Sequence, residues 1–421
     1  MNGRILAAMM VTAMPLLAAC DQGTPQEQGV SDPMSKAQEL AHRHILIDTH
    51  IDVPYRLAEK YEDVTQATED GDFDYPRAKA GGLDVPFMSI YTPAEYEFEE
   101  PGKATRHAER MIDFVTDIVA RAPDKFMLVT SPDEAEAAHA AGRIGLAMGM
   151  ENGAPIAGDL RLLKHFYDRG IRYITLAHSK ANHIADSSYD ENRPNGGLSP
   201  FGEKVVREMN ALGIMVDVSH ISDDAFWDVL RITSAPPIAS HSSARHFTPG
   251  FERNMSDEMI KALAEAGGVI MINFGSAFLT EEANRYNSEQ DAAYKAMLAE
   301  TGAEDTPEAH DAFRETYRAA HPYPYAGLSD VLDHIDHVRL IAGIDHVGIG
   351  SDFDGVGDSL PTGLKDVSQY PALVAGLIER GYTDDEIAKI LGGNLLRVWR
   401  TVEAVAAATV GETEKAAAAA E

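Results

Sequence analysis

The chain has 421 residues, 44% of them hydrophobic, enough to bury a large core as two or three ordinary domains or as one (β/α) barrel. Its 67 Asp and Glu against 36 Lys and Arg leave a formal net charge of −31, which argues against a nucleic-acid partner and against attraction to an anionic lipid surface. Cys20 is the only cysteine, so no intrachain disulfide can form.

The chain starts with Arg4 and an apolar segment, Ile5 to Ala19, too short to favour a membrane span, and reaches Leu17-Ala18-Ala19-Cys20. This resembles the signal peptide (1–19) and lipobox of bacterial lipoproteins, which implies lipidation at Cys20. Residues 20–35, rich in Gln, Gly, Pro and Ser, then read as a flexible tether. The expected location is the bacterial cell envelope, lipid-anchored to a membrane and facing the periplasm.

Lys36 to His42 reads as a short helix leading into Ile45-Leu46-Ile47-Asp48-Thr49-His50-Ile51-Asp52, an apolar run of strand length. Further buried-strand candidates lie at about 83–91, 143–151, 171–178, 213–220, 235–242, 267–274 and 346–353. Most are continuous apolar runs, as parallel strands covered on both faces require. Helices separate them. Ser199-Pro200 opens one that stops at Gly213, Ser222 opens another over Asp223 to Leu230, and Ser256 opens a third that closes at Gly267-Gly268. Eight βα units predict a (β/α)8 TIM-type barrel spanning 36–402, whereas an open doubly wound sheet lacks its Gly-rich phosphate loop. A polar insertion at 279–327, with helix-like Glu304 to Ala320, precedes the last strand and reads as a lid, an interface or a solvated excursion. Asp384 to Trp399 predicts closing helices, and Ala-rich 403–421 a frayed or disordered tail.

Four of the strand candidates end in metal-ligand residues. In a strand His50 and Asp52 share a face, and the runs at 144–150, 214–219 and 237–240 finish in Glu151, His220 and His241. Ligands at the same end of several parallel strands imply one convergent site. Imidazole and carboxylate together suit a borderline dication, zinc above all. One ion cannot use all five residues and keep an open position, so two ions are expected. Glu151 bridges them, with His50 and Asp52 completing one ion's ligands and His220 and His241 the other's. A bridging water between two dications loses a proton near neutral pH and becomes a nucleophile.

The motifs Asp48-Thr49-His50-Ile51-Asp52-Val53-Pro54, Gly149-Met150-Glu151-Asn152-Gly153, Ser240-His241-Ser242-Ser243-Ala244, Arg253-Asn254, Gly350-Ser351-Asp352-Phe353-Asp354-Gly355 and Gly392-Gly393-Asn394-Leu395-Leu396-Arg397, in this order, resemble those of the renal (membrane) dipeptidase family. The resemblance implies a binuclear zinc barrel of the amidohydrolase superfamily that hydrolyses dipeptides, with the same five ligands. It also implies that His178 contacts the scissile carbonyl and stabilises its oxyanion, that Arg253 holds the substrate carboxylate, and that Asp352 is the acid/base, with Asp354 its competitor. After His178 the chain departs from the family: Ser179-Lys180-Ala181-Asn182-His183-Ile184 stands where many members have Asn-Cys-Asn-Asn-Pro-Trp. That loop borders the substrate pocket, so side-chain preference is left open.

The expected activity is therefore hydrolysis of dipeptides, L,D forms among them, by metal-hydroxide attack. The alternatives are another amidohydrolase acting on a lactam, N-acyl amino acid or ester, and an envelope binding protein with structural zinc. The partners implied are a small dipeptide, the membrane through Cys20 and, as an open option, a second copy in a homodimer.

Overall fold

The computed structural model describes residues 33–420, and the side chains of 34–411. The expected signal peptide, Cys20 and the tether up to residue 32 lie outside the described residues. Among the described residues no helix is long and apolar enough to cross a membrane.

Among the described residues nine strands form one parallel sheet: β1 (Ile47–Ile51), β2 (Val85–Tyr91), β3 (Phe126–Leu128), β4 (Ile144–Glu151), β5 (Ile171–Thr175), β6 (Met215–Asp217), β7 (Ile238–Ala239), β8 (Val269–Ile272) and β9 (Val347–Ile349). The path runs β1-β2-β4-β5-β6-β7-β8-β9, with β3 paired only to β4 outside it. Beyond β9 the ring closes onto β1, because Asp352 N–H donates to the His50 carbonyl at 3.1 Å and Asp52 N–H to the Phe353 carbonyl at 2.9 Å. The result is the (β/α)8 barrel expected, each predicted strand range containing one barrel strand. The extra strand β3, which pairs with β4 alone, lies outside the predicted strand ranges.

Alternation explains the interior. Ile47, Val85, Phe87, Ala147, Tyr173, Met215, Ile238, Val269 and Met271 form one apolar cluster with Leu395, Val398 and Trp399. Trp399 belongs to the helix Asn394–Ala420, and its ring lies 5.3 Å from that of Phe87. One end of the barrel is thus closed by apolar packing, and the polar side chains gather where the strands end. The same helix runs on through the Ala-rich segment.

The predicted helix starts are capped as the sequence implies. Ser199, Ser222 and Ser256 hydroxyls accept from the backbone N–H groups of Gly202, Ala225 and Met259. The insertion holds two long helices, Glu281–Thr301 and Pro307–Ala320. The first is not evident in the sequence because its buried face is only Ala283, Tyr286, Gln290 and Tyr294, too sparse for an apolar stripe.

Helix Leu328–Ala342 carries a buried histidine that ties two loops. His334 Nδ1 accepts from Ala244 N–H and its Nε2–H donates to the Leu279 carbonyl, both at 3.0 Å. Burial pushes its pKa down from 6.5 to about 4. A lowered folded-state value means that the unfolded chain takes up the proton first. The contribution is therefore full above about 6.5 and is lost as pH falls toward 4, up to about 3 kcal/mol for this group. Urea unfolding of wild type and His334→Gln should show a stability gap that narrows steadily over that acid interval. A gap independent of pH would contradict the assignment.

Candidate metal centre

Glu151 ends β4 on the face that carries Ala147 and Gly149, and so points into the barrel. Its two oxygens face different groups. Oε2 lies 3.4 Å from His50 Nε2 and accepts from the Ser89 hydroxyl at 3.1 Å. Oε1 lies 3.1 Å from His220 Nε2, 3.3 Å from His241 Nε2 and 3.4 Å from His178 Nε2. Asp52 Oδ2 stands 3.4 Å from His50 Nε2, and Asp352 Oδ1 4.0 Å from it. All five expected ligands therefore meet at one rim. Asp52 arrives differently from the strand alternation expected: β1 stops at Ile51, and Asp52 has turned to become the N-cap of the helix Val53–Glu59.

The backbone is bent to achieve this. His220, Asp352 and Asn152, which follows Glu151, have φ of +69°, +64° and +81°, a region that costs energy for residues other than glycine. Gly149 is required for another reason: a Cβ there would fall 1.9 Å from the Tyr173 ring, which lies across it.

Tyr173 fixes where the proton of His50 sits. Its hydroxyl donates to the Thr49 carbonyl at 3.0 Å, so it accepts from His50 Nδ1–H at 2.8 Å. That leaves His50 Nε2 with a bare lone pair, buried and without a hydrogen-bond partner, among carboxylate oxygens. His241 repeats the pattern. Ser240 Oγ donates to Asp217 at 2.6 Å and accepts from His241 Nδ1–H at 2.7 Å, which leaves His241 Nε2 bare only 2.8 Å from His220 Nε2. Acceptors facing acceptors in a buried site repel unless a cation lies between them. One proton would satisfy a single pair, whereas dications satisfy the whole set, so the residues fit metal.

Burial alone would depress His50, but Tyr173, Glu151 and Asp52 outweigh it and hold the imidazole well above its ordinary value, so with protein groups alone Nε2 takes up a proton that a cation among the same carboxylates would replace. Burial pushes His220 and His241 well below theirs, the neutral state a ligand needs. Burial would raise Glu151, yet His50 and His178 keep it well below the carboxylate range. Counting protein groups only, burial, opposed by His50 and helped by Asp52 and Glu151, pushes Asp352 up to about 7.

His178 borders the cavity, its ring 4.2 Å from that of His220 and 4.9 Å from that of Tyr91. It is close enough to Glu151 and His220 to serve as a ligand itself, and burial lowers its pKa. Asp352 also lines the cavity, its Oδ2 held by the Asn273 amide at 2.7 Å. Asp354 is turned aside: it accepts from Asp72 N–H at 2.6 Å and lies 3.3 Å from Arg56 Nε. Arg253 is buried and does not line the cavity. Its terminal nitrogens donate to the Ser242 hydroxyl at 2.6 Å and the His241 carbonyl at 2.9 Å, beneath Phe278, and its Nε has no partner.

Several supporting residues escaped the sequence reading. Tyr173 sits in an apolar run and reads as core, whereas Asp217, a lone carboxylate inside Ile214-Met215-Val216-Asp217-Val218, was a signal that could have been used. Asp217 also accepts from the Thr175 hydroxyl at 2.5 Å and from the Ser219 and Ser240 N–H groups.

Over residues 34–412 the chain matches the family described as membrane dipeptidase, peptidase family M19. An uncharacterised dipeptidase of Schizosaccharomyces pombe is 33% identical over 387 residues, spanning 88% of this chain and 83% of its own. A second from that organism is 31% identical over 414 residues, spanning 95% and 89%. The crystal structure of the probable dipeptidase PvdM from Pseudomonas aeruginosa superposes with a TM-score of 0.78 at 30% identity, covering 89% of this chain and 99% of that one. A metallopeptidase from Rhodobacter sphaeroides, liganded with a phosphinate mimic of the dipeptide L-Ala-D-Ala, gives 0.69 at 26% identity, covering 85% and 99%.

Since the Tyr173 hydroxyl orients His50 from behind, Tyr173→Phe should preserve the fold and weaken metal binding roughly 10- to 100-fold. Competition against a chelator of known affinity measures this; wild-type affinity would contradict the role.

Proposed function

The chain belongs to the membrane dipeptidase family, peptidase family M19, a family of metal-dependent peptidases, and from that premise we propose that it is a binuclear zinc dipeptidase. The observation that carries the reading is the division of Glu151 between His50 on one oxygen and His220 and His241 on the other. His50, Asp52 and Glu151 would hold one ion, and Glu151, His220 and His241 the second. When bound, such ions act as Lewis acids toward the scissile carbonyl and lower the pKa of water.

The protein's own groups supply the rest. Neutral His178, at the cavity wall next to Glu151, donates from its imidazole to the oxygen that gains charge in the transition state. Asp352 accepts a proton from the attacking water and delivers it to the leaving amine; the Asn273 amide holds one of its oxygens and leaves the other facing His50. Arg253 lies beneath Phe278 and off the cavity wall, so it reaches substrate only when that ring swings aside; its protons not used by Ser242 and His241 then pair with the carboxylate of the substrate's second residue. That contact favours substrates that end one residue after the cleaved bond. The bound L-Ala-D-Ala mimic in the Rhodobacter sphaeroides relative supports including L,D-dipeptides among the substrates. Lipid attachment at Cys20, and with it a periplasm-facing envelope location, remains part of the proposal on the sequence pattern alone.

The test is release of amino acids from a panel of L,L- and L,D-dipeptides and their C-terminal amides. Zinc-loaded protein should cleave the free acids and discriminate against the amides by roughly tenfold or more. Chelation should abolish turnover, and added zinc should restore it. No release from any dipeptide would sink the reading.

A further inference from the structure

The cavity over the metal centre measures about 870 Å³, near the upper end of the roughly 300–1,000 Å³ usual for small-molecule pockets. Much of its lining comes from the insertion. Helix Pro307–Ala320 contributes His310, Arg314 and Arg318, spaced four residues apart and so on one helix face; helix Glu281–Thr301 contributes Asn287, Gln290 and Asp291. In a chain of net charge −31, a basic stripe turned toward the reaction centre is out of keeping with the rest of the surface.

The stripe is incompletely neutralised from within. Arg314 pairs with Asp311 at 2.9 Å and Arg318 with Asp358 at 3.1 Å, but both carboxylates are largely exposed, so water screens these pairs. Asp291 is the one carboxylate the two helices add to the cavity lining. Two donors are also left over among the described residues: Gln290 Nε2 and Arg318 Nε are buried and have no acceptor, although the Arg318 guanidinium also donates to the Asp358 carbonyl at 2.8 Å and packs on Tyr323. Unused donors and guanidinium charge on one wall call for a ligand that brings acceptor oxygens and negative charge.

We propose that this wall is a side-chain subsite for an acidic residue of the substrate, with Arg314 as the specificity-determining contact and Gln290 as a supporting donor. The inference rests on the dipeptidase reading and adds a substrate class to it. The rest of the lining adds Glu59 and Asp354 and no Lys or Arg, so the insertion supplies the guanidinium groups that line the cavity. A carboxylate side chain is therefore directed to the insertion.

The test compares kcat/KM on isosteric pairs, Ala-Glu against Ala-Gln and Glu-Ala against Gln-Ala, in L,L and L,D forms, for wild type, Arg314→Ala and Arg314→Lys. Wild type should prefer the Glu member of at least one pair. Arg314→Ala should reduce that Glu-to-Gln ratio by roughly five- to tenfold, through KM rather than kcat, and Arg314→Lys should retain most of it. Equal rates within every wild-type pair, or an Arg314→Ala loss shared equally by both members, would overturn the subsite while leaving the peptidase reading in place. If no dipeptide is cleaved at all, the peptidase reading and the subsite fall together.

Discussion

A single buried carboxylate, pulled in two directions, sets the demands on the rest of this molecule. Glu151 is almost entirely out of water, and each of its oxygens faces imidazole nitrogens. On two of those imidazoles, His50 and His241, the proton is committed to the far side of the ring. An arrangement of this kind is unstable on protein groups alone, because it crowds lone pairs in a medium of low polarity. It becomes favourable only with positive charge between the acceptors. The surrounding architecture can be understood as what is needed to hold that unfavourable set in place.

The parallel barrel brings residues remote in sequence to one rim, and the inward face of β4 brings Glu151 to its centre. Behind the ligands stands a layer of fixed hydrogen bonds: Tyr173 between Thr49 and His50, and Asp217 receiving Thr175 and Ser240, which in turn orients His241. Asp48 works on the outside of β1. It accepts from the His50 and Ser351 N–H groups and from the Tyr370 hydroxyl, and so joins the first strand to the segment after the last, where Asp352 sits. The cost is visible as left-handed backbone at His220 and Asp352 and as a glycine under the Tyr173 ring. Apolar packing around Trp399 at the other end, and along the strands, offsets it.

The fold and the convergence of the five candidate ligand residues on one rim were legible in the sequence because both depend on local patterns. Apolar runs of strand length recur eight times, and four of them end in His or Glu. What escaped depends on three-dimensional context. Tyr173 is indistinguishable from core until its hydroxyl is seen between Thr49 and His50. The chain turns at Asp52 before strand alternation can apply, and the place of Arg253 beneath Phe278, off the cavity wall, has no local signature. Helix Glu281–Thr301 buries too few apolar residues to announce itself, although it and its neighbour shape the pocket.

The central claim is that two ions share Glu151, and zinc stoichiometry at buffered free metal tests it most directly. Wild-type protein should bind two equivalents, and Glu151→Gln should weaken both together, whereas His220→Ala should release chiefly one. A wild-type stoichiometry of one, or a Glu151→Gln protein that keeps one ion at wild-type affinity, would contradict the account.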